Sequence, residues 1–152
     1  RRGSWTAGLT RLAIDAGDWI SMMPQPEEAT RHVFVYGTLR RGERNDIARY
    51  RPRPLFVGEA SVDGRLYDLG AYPGIVLGTG GRVVGEVYRI TAEVEAALDI
   101  LEEVKADGSG EYRKRDVPVV MGEQTLRCLV YEIHPERLVG RHLIASGDWR
   151  TR

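Results

Sequence analysis

The sequence predicts an α+β fold, with several strands in a mixed or partly closed sheet and one strong helix. Three observations carry this. Runs rich in β-branched and aromatic residues recur along the chain, at Val33–Tyr36, Leu55–Leu69, Arg82–Ile90, Val117–Val120 and Leu126–Ile133. Glycine and proline punctuate the gaps between them. One segment alone, opening at Thr91, has a clear helical repeat. Strands followed by a helix and then by more strands give segregated rather than alternating elements.

The totals set limits. At 152 residues, one domain with a single core is expected. Hydrophobic residues make up 42% and charged residues 29%, which fits a soluble globular chain and not a disordered one. The formal net charge of +0 gives no general attraction to nucleic acid or to an anionic membrane. A single cysteine, Cys128, excludes an internal disulfide and a multi-cysteine zinc site. His32, His134 and His142 have no short ligand spacing, so no metal is expected. A reducing, cytoplasmic setting follows most simply. No apolar run reaches the roughly 18 residues of a membrane span.

Residues 1–30 read as an N-terminal extension or linker, and 31–152 as the domain. Leu9, Leu12 and Ala13 suggest a short helix ended by Gly17, and Pro24, Pro26, Glu27 and Glu28 a linker. Val33 to Tyr36 then form a buried strand that stops at Gly37. Without a Cβ, Gly37 lets the main chain come close to a ligand. The turn Gly37-Thr38-Leu39 is either plain or a cradle whose N–H groups hold an anion. Arg40, Arg41, Arg44, Arg49, Arg51 and Arg53 follow, and a solvated surface is favoured for them over a phosphate-binding patch. Asp46 suits the N-cap of a short helix.

In the segment Leu55–Leu69, Gly58 and Gly64 mark bulges or bends. Tyr72-Pro73-Gly74 is turn chemistry before a strand. Gly78-Thr79-Gly80-Gly81 lacks the spacing and the lysine of a phosphate loop, so a hairpin between Ile75–Leu77 and Val83–Tyr88 is expected. Thr91 caps the helix, with Glu93 and Glu95 at its positive end and Val94, Ala97, Leu98 and Leu101 as the buried stripe. At about 100° per residue, Glu102 falls on the margin of that stripe and Glu103 faces solvent. A desolvated Glu102 would have the raised pKa that suits a general acid or base, although a surface helix often ends in Glu. Val117–Val120 and Leu126–Ile133 form a final antiparallel pair turning at Gly122-Glu123, with Cys128 inert inside it.

Several separated segments resemble the gamma-glutamyl cyclotransferase-like superfamily. Tyr36-Gly37-Thr38-Leu39, with Arg40-Arg41-Gly42 and Asn45, resembles its signature. Tyr72-Pro73-Gly74 resembles its second motif, and Leu98-Asp99-Ile100-Leu101-Glu102 its Leu-Asp-x-x-Glu segment. Tyr112 before Arg113 and the ending Ile144 to Trp149 match as well. The chain looks most like the gamma-glutamylamine cyclotransferase and avirulence-induced-protein-like branch, from about Arg31 to Trp149. One departure is Glu103, which stands where the family usually has Gly.

The resemblance implies a cyclotransferase-like mixed β-barrel with flanking helices and a reaction without metal or cofactor. The substrate's own α-amine would attack its γ-carbonyl, releasing 5-oxoproline and the amine partner. Glu102 maps onto the catalytic acid/base. Tyr36, Gly37, Thr38, Leu39, Asn45, Tyr72, Pro73 and Tyr112 map onto the substrate pocket, and the tail onto packing. The expected partner is a small gamma-glutamyl compound, with no nucleic acid and no membrane. A module that binds a small carboxylate without reacting it is the alternative on the same scaffold.

Overall fold

The computed structural model of the chain describes residues 30–104 and 110–152. All but the last residue of the extension read over residues 1–30, and most of the polar loop read before Glu111, lie outside the described residues. The elements are β1 (Arg31–Val35), β2 (Leu55–Asp68), β3 (Pro73–Ile90), α1 (Ala92–Leu101), β4 (Tyr112–Met121), β5 (Gln124–Ile133) and β6 (His142–Ile144). Short 3-10 turns cover Ile47–Arg49, Pro135–Leu138 and Trp149–Thr151. The strands form one six-stranded mixed sheet in the order β4-β5-β1-β3-β2-β6. It curls into a half-barrel carrying the helix, so the fold is α+β.

β1 is the central strand because both of its faces are apolar. Phe34 and Tyr36 enter one core cluster with Leu66, Ile75, Val87, Val130 and Trp149. Val33 and Val35 enter a second with Val94 and Leu98 of α1 and with Ile133. A strand buried on both sides reads as an unbroken hydrophobic run, as this one does. It pairs antiparallel with β3 and parallel with β5.

β3 differs from its expected form. Ile75–Leu77 and Val83–Tyr88 do not form a hairpin with each other; both halves pair with β2. The reversal of the chain lies earlier, where Leu69 N–H donates to Tyr72 O at 2.9 Å. Gly78 to Gly81 fall in a register break, because Gly64 pairs with Leu77 and Asp63 with Arg82. Gly78 and Gly80 have φ of 136° and 111°, which L residues rarely adopt. The glycine run therefore makes a bulge that bends the two-stranded ribbon. The bend lets the first half of β3 lie parallel to β5, at Ile75 and Glu132, while its second half stays antiparallel to β1.

α1 begins as its sequence requires: Val94 N–H donates to Thr91 Oγ1 at 3.3 Å. Val94 and Leu98 are buried, but Leu101 is exposed, which corrects its assignment to the stripe. Glu95 takes a buried place instead, paired with Arg31 at 2.8 Å and Lys114 at 2.5 Å. No described helix is long and apolar enough to cross a membrane.

Candidate active site

The site begins where β1 ends. Arg40 N–H donates to Gly37 O at 3.0 Å, closing a turn with Thr38 and Leu39 at its centre. Asn45 N–H donates to Thr38 O at 2.9 Å and Ile47 N–H to Leu39 O at 3.0 Å. The Asn45 amide also donates to Thr38 Oγ1 at 3.1 Å, so Asn45 braces the turn from both main chain and side chain. Asp46 starts the next 3-10 turn by accepting from Ala48 N–H at 2.9 Å. Among the described residues, no hydrogen bond takes up the N–H of Thr38 or of Leu39. Two amides on one tight turn are thus left without a protein acceptor.

Gly37 owes its identity to a close approach. A Cβ there would lie 2.5 Å from Pro73 Cγ. The turn after β1 is thus pressed against the Tyr72-Pro73 turn that opens β3. Tyr112 ties the second turn to β4, its hydroxyl donating to Pro73 O at 2.6 Å. Tyr36 ties the first to β5, donating to Tyr131 O at 2.6 Å and accepting from Ile75 N–H at 3.3 Å.

The third wall is the end of α1. Glu102 is the C-cap, its N–H donating to Leu98 O at 2.9 Å. Glu103 N–H donates to Ile100 O at 3.1 Å and Val104 N–H to Asp99 O at 2.9 Å. That pair of bonds is a Schellman ending, whose residue after the cap is left-handed and usually glycine. Glu103 occupies it with φ of 54°. The glycine usual in the resembled family has its physical reason here. Glu103 is exposed, as expected, and the same turn also brings it to the cavity wall.

These walls enclose a cavity of about 270 Å³. Tyr36, Gly37, Thr38, Leu39, Asn45, Tyr72, Pro73, Glu102 and Tyr112 all line it. Arg44, Glu103, Glu111 and Tyr131 line it too, and sequence reading had not placed them there. Glu111 sits beside Tyr112, the residue that had drawn attention. Tyr131 belongs to the β5 face that alternates with Cys128 and Val130, which was its available signal.

Electrostatics separate the carboxylates. Burial pushes the Glu102 carboxyl up to about 7, with the charge of Glu111 adding to it. Glu111 itself accepts from the Tyr72 hydroxyl at 2.5 Å. That hydrogen bond, with burial and the same charge, raises the Tyr72 phenol to about 12. Burial chiefly also raises Tyr36, Tyr112 and Tyr131, with Glu102 contributing to all three. The four phenols therefore stay neutral donors at pH 7. Tyr131 is held by Asp99, its hydroxyl donating to Oδ1 at 2.7 Å, and Asp99 Oδ2 accepts from Lys114 at 3.0 Å. Cys128 lies away from the cavity in the core, where burial pushes its thiol up to about 11. Among the described residues no cluster of three His, Cys, Asp or Glu is placed to hold a metal.

Fold and site define a class: a curled mixed sheet whose central strand ends in a tight turn facing a carboxyl that titrates near neutrality. Residues 33–151 match the family described as gamma-glutamyl cyclotransferase, AIG2-like. The chain belongs to that family. It is 39% identical over 121 residues to the gamma-glutamylcyclotransferase family protein ytfP of Citrobacter rodentium, covering 79% of this chain and 96% of that one. Identity to the protein of that name from Escherichia coli (strain K12) is 36%, with the same coverage. The solution NMR structure of the Escherichia coli ytfP protein superposes with a TM-score of 0.54 at 37% identity, over 80% of this chain and 99% of that one. The crystal structure of an aig2-like protein from Mus musculus gives a TM-score of 0.60 at 26% identity, over 72% and 82%.

Proposed function

We propose that the protein is a cyclotransferase that releases 5-oxoproline from a gamma-glutamyl amine or related gamma-glutamyl compound. One observation carries the reading: Glu102, whose carboxyl burial raises to about 7, and the Thr38-Leu39 turn, whose two main-chain amides have no protein partner among the described residues, line the same cavity.

The glutamyl end of the substrate lies against the Gly37–Leu39 turn, folded so that its α-nitrogen reaches its own γ-carbonyl carbon. Ring closure within one molecule needs orientation more than a protein nucleophile. Glu102 removes a proton from the α-ammonium, freeing the lone pair. The nitrogen adds to the carbonyl, and the oxygen that gains charge is held by the N–H groups of Thr38 and Leu39. The tetrahedral intermediate collapses, Glu102 returns its proton to the amine partner as the C–N bond to that partner breaks, and the ring nitrogen gives its remaining extra proton to the freed Glu102 carboxylate, leaving the neutral lactam. Tyr36, Asn45, Tyr72, Pro73 and Tyr112 bind and shape the substrate rather than react. Family membership supports this chemistry, and the single cysteine supports a reducing, cytoplasmic setting.

The test is a panel of gamma-glutamyl amines, gamma-glutamyl dipeptides and glutathione incubated with the protein, with 5-oxoproline as the readout. Release from at least one compound is expected. Saturable binding of these compounds with no product from any would replace the enzyme by a small-carboxylate-binding module.

A further inference from the structure

The tail that follows β6 had been assigned packing, and Arg40 a solvated surface. The structure corrects the second: Arg40 is 4% exposed. Its Nε lies 3.3 Å from Glu86 Oε2 and its Nη1 2.8 Å from Asp148 Oδ1. Glu86 is also buried, on β3 opposite Val35, and its Oε1 accepts from Arg41 N–H at 2.9 Å and from the Tyr88 hydroxyl at 2.9 Å. The tail is seated firmly enough to hold a charge in place. Val84 N–H donates to Gly147 O at 2.9 Å, Trp149 is buried, and Arg150 donates to Arg41 O. Asp148 caps the last 3-10 turn by accepting from Arg150 N–H at 2.9 Å.

All of these contacts converge on Arg40 and Arg41, the two residues immediately after the Thr38 and Leu39 amides. The N–H of Arg40 closes the turn at one end. Its guanidinium fixes the turn to both the sheet and the tail, and Arg41 does the same through its main chain, to Glu86 and to Arg150. We infer that Asp148 is a positioning residue: through Arg40, and with Glu86, it sets the direction of the N–H groups of Thr38 and Leu39, two residues that line the cavity. The inference rests on the proposed reading for its effect on turnover, but not for its effect on the turn.

Two readouts keep the two apart. Asp148→Ser keeps a side chain that caps helices well while giving up the reach to Arg40. In that variant the backbone amide resonances of Thr38 and Leu39 should shift, whereas those of α1 should stay in place. On a substrate found in the panel, kcat should fall by about tenfold or more while KM changes little, since oxyanion donors act in the transition state. Asp148→Asn, which keeps an acceptor at the same distance, should recover part of the loss. Arg152→Ala removes the guanidinium stacked 3.5 Å over Trp149 without touching the Asp148–Arg40 pair and should leave kcat unchanged. Unmoved Thr38 and Leu39 resonances, or kcat at the wild-type level in a folded Asp148→Ser protein, would overturn the inference. Wild-type protein that makes no 5-oxoproline sinks the proposed function alone, and the resonances still decide the role of Asp148.

Discussion

At the scale of single residues, Glu102 and Glu103 show how one step along the chain changes a side chain's physics. Glu102 ends the helix with its carboxyl turned into the cavity, and burial raises its pKa to about 7. A base of this kind works only when ionised, so kcat/KM should rise with pH through an apparent midpoint near 7. Glu111→Gln should move that midpoint down, because the charge of Glu111 is one of its causes; a pH–rate profile on the two proteins checks both. Stability should run the other way. Between the ordinary value of about 4.5 and about 7 the folded state holds a proton that the unfolded state has lost, so stability falls as pH rises through that window. Glu102→Gln removes the effect and should stabilise the protein at pH 8 by roughly 1–3 kcal/mol relative to wild type, with little gain at pH 4. Urea denaturation at the two pH values measures it. Glu103, by contrast, holds a left-handed backbone that glycine adopts without cost. Glu103→Gly should therefore raise stability by about 1 kcal/mol, read as a higher urea midpoint at constant slope.

At the scale of elements, the strongest sequence signals were local ones. The Thr91 cap, the double-faced run of β1 and the turn at Gly122 can each be read from neighbours in the chain, because each is fixed by neighbours. The bend of β3 could not. A glycine run is compatible with a hairpin or with a bulge, and pairing with β2 on both sides decides between them. Helical phase put Glu102 on the margin of the buried stripe and left Glu103 exposed, as observed, but it could not show that the Schellman turn also brings Glu103 to the cavity wall. Gly37 was singled out for closeness to a ligand, whereas the neighbour it admits is Pro73. Gly37→Ala should push the two turns apart, lowering stability by roughly 1–3 kcal/mol as overpacking does, measurable as a drop in melting temperature.

At the scale of the whole molecule, the cavity exists because four distant stretches meet: the end of β1, the opening of β3, the end of α1 and the start of β4. The resembled motifs marked one residue or more in each of them. What the motifs left dark were the groups that hold them, chiefly the buried Arg40–Glu86–Asp148 contacts, whose partners lie 46 and 108 positions apart. A formally charged residue reads as surface until a partner from elsewhere in the chain is known to desolvate with it. The claim on which everything else depends is that Glu102 moves the proton. Its most direct test compares 5-oxoproline release by wild type and Glu102→Gln on one panel substrate at pH 7.5. A loss of about a hundredfold or more, in a protein that folds at least as stably, is the predicted result. Turnover within about twofold of wild type would contradict it, because a difference that small is far below what an acid–base group supplies.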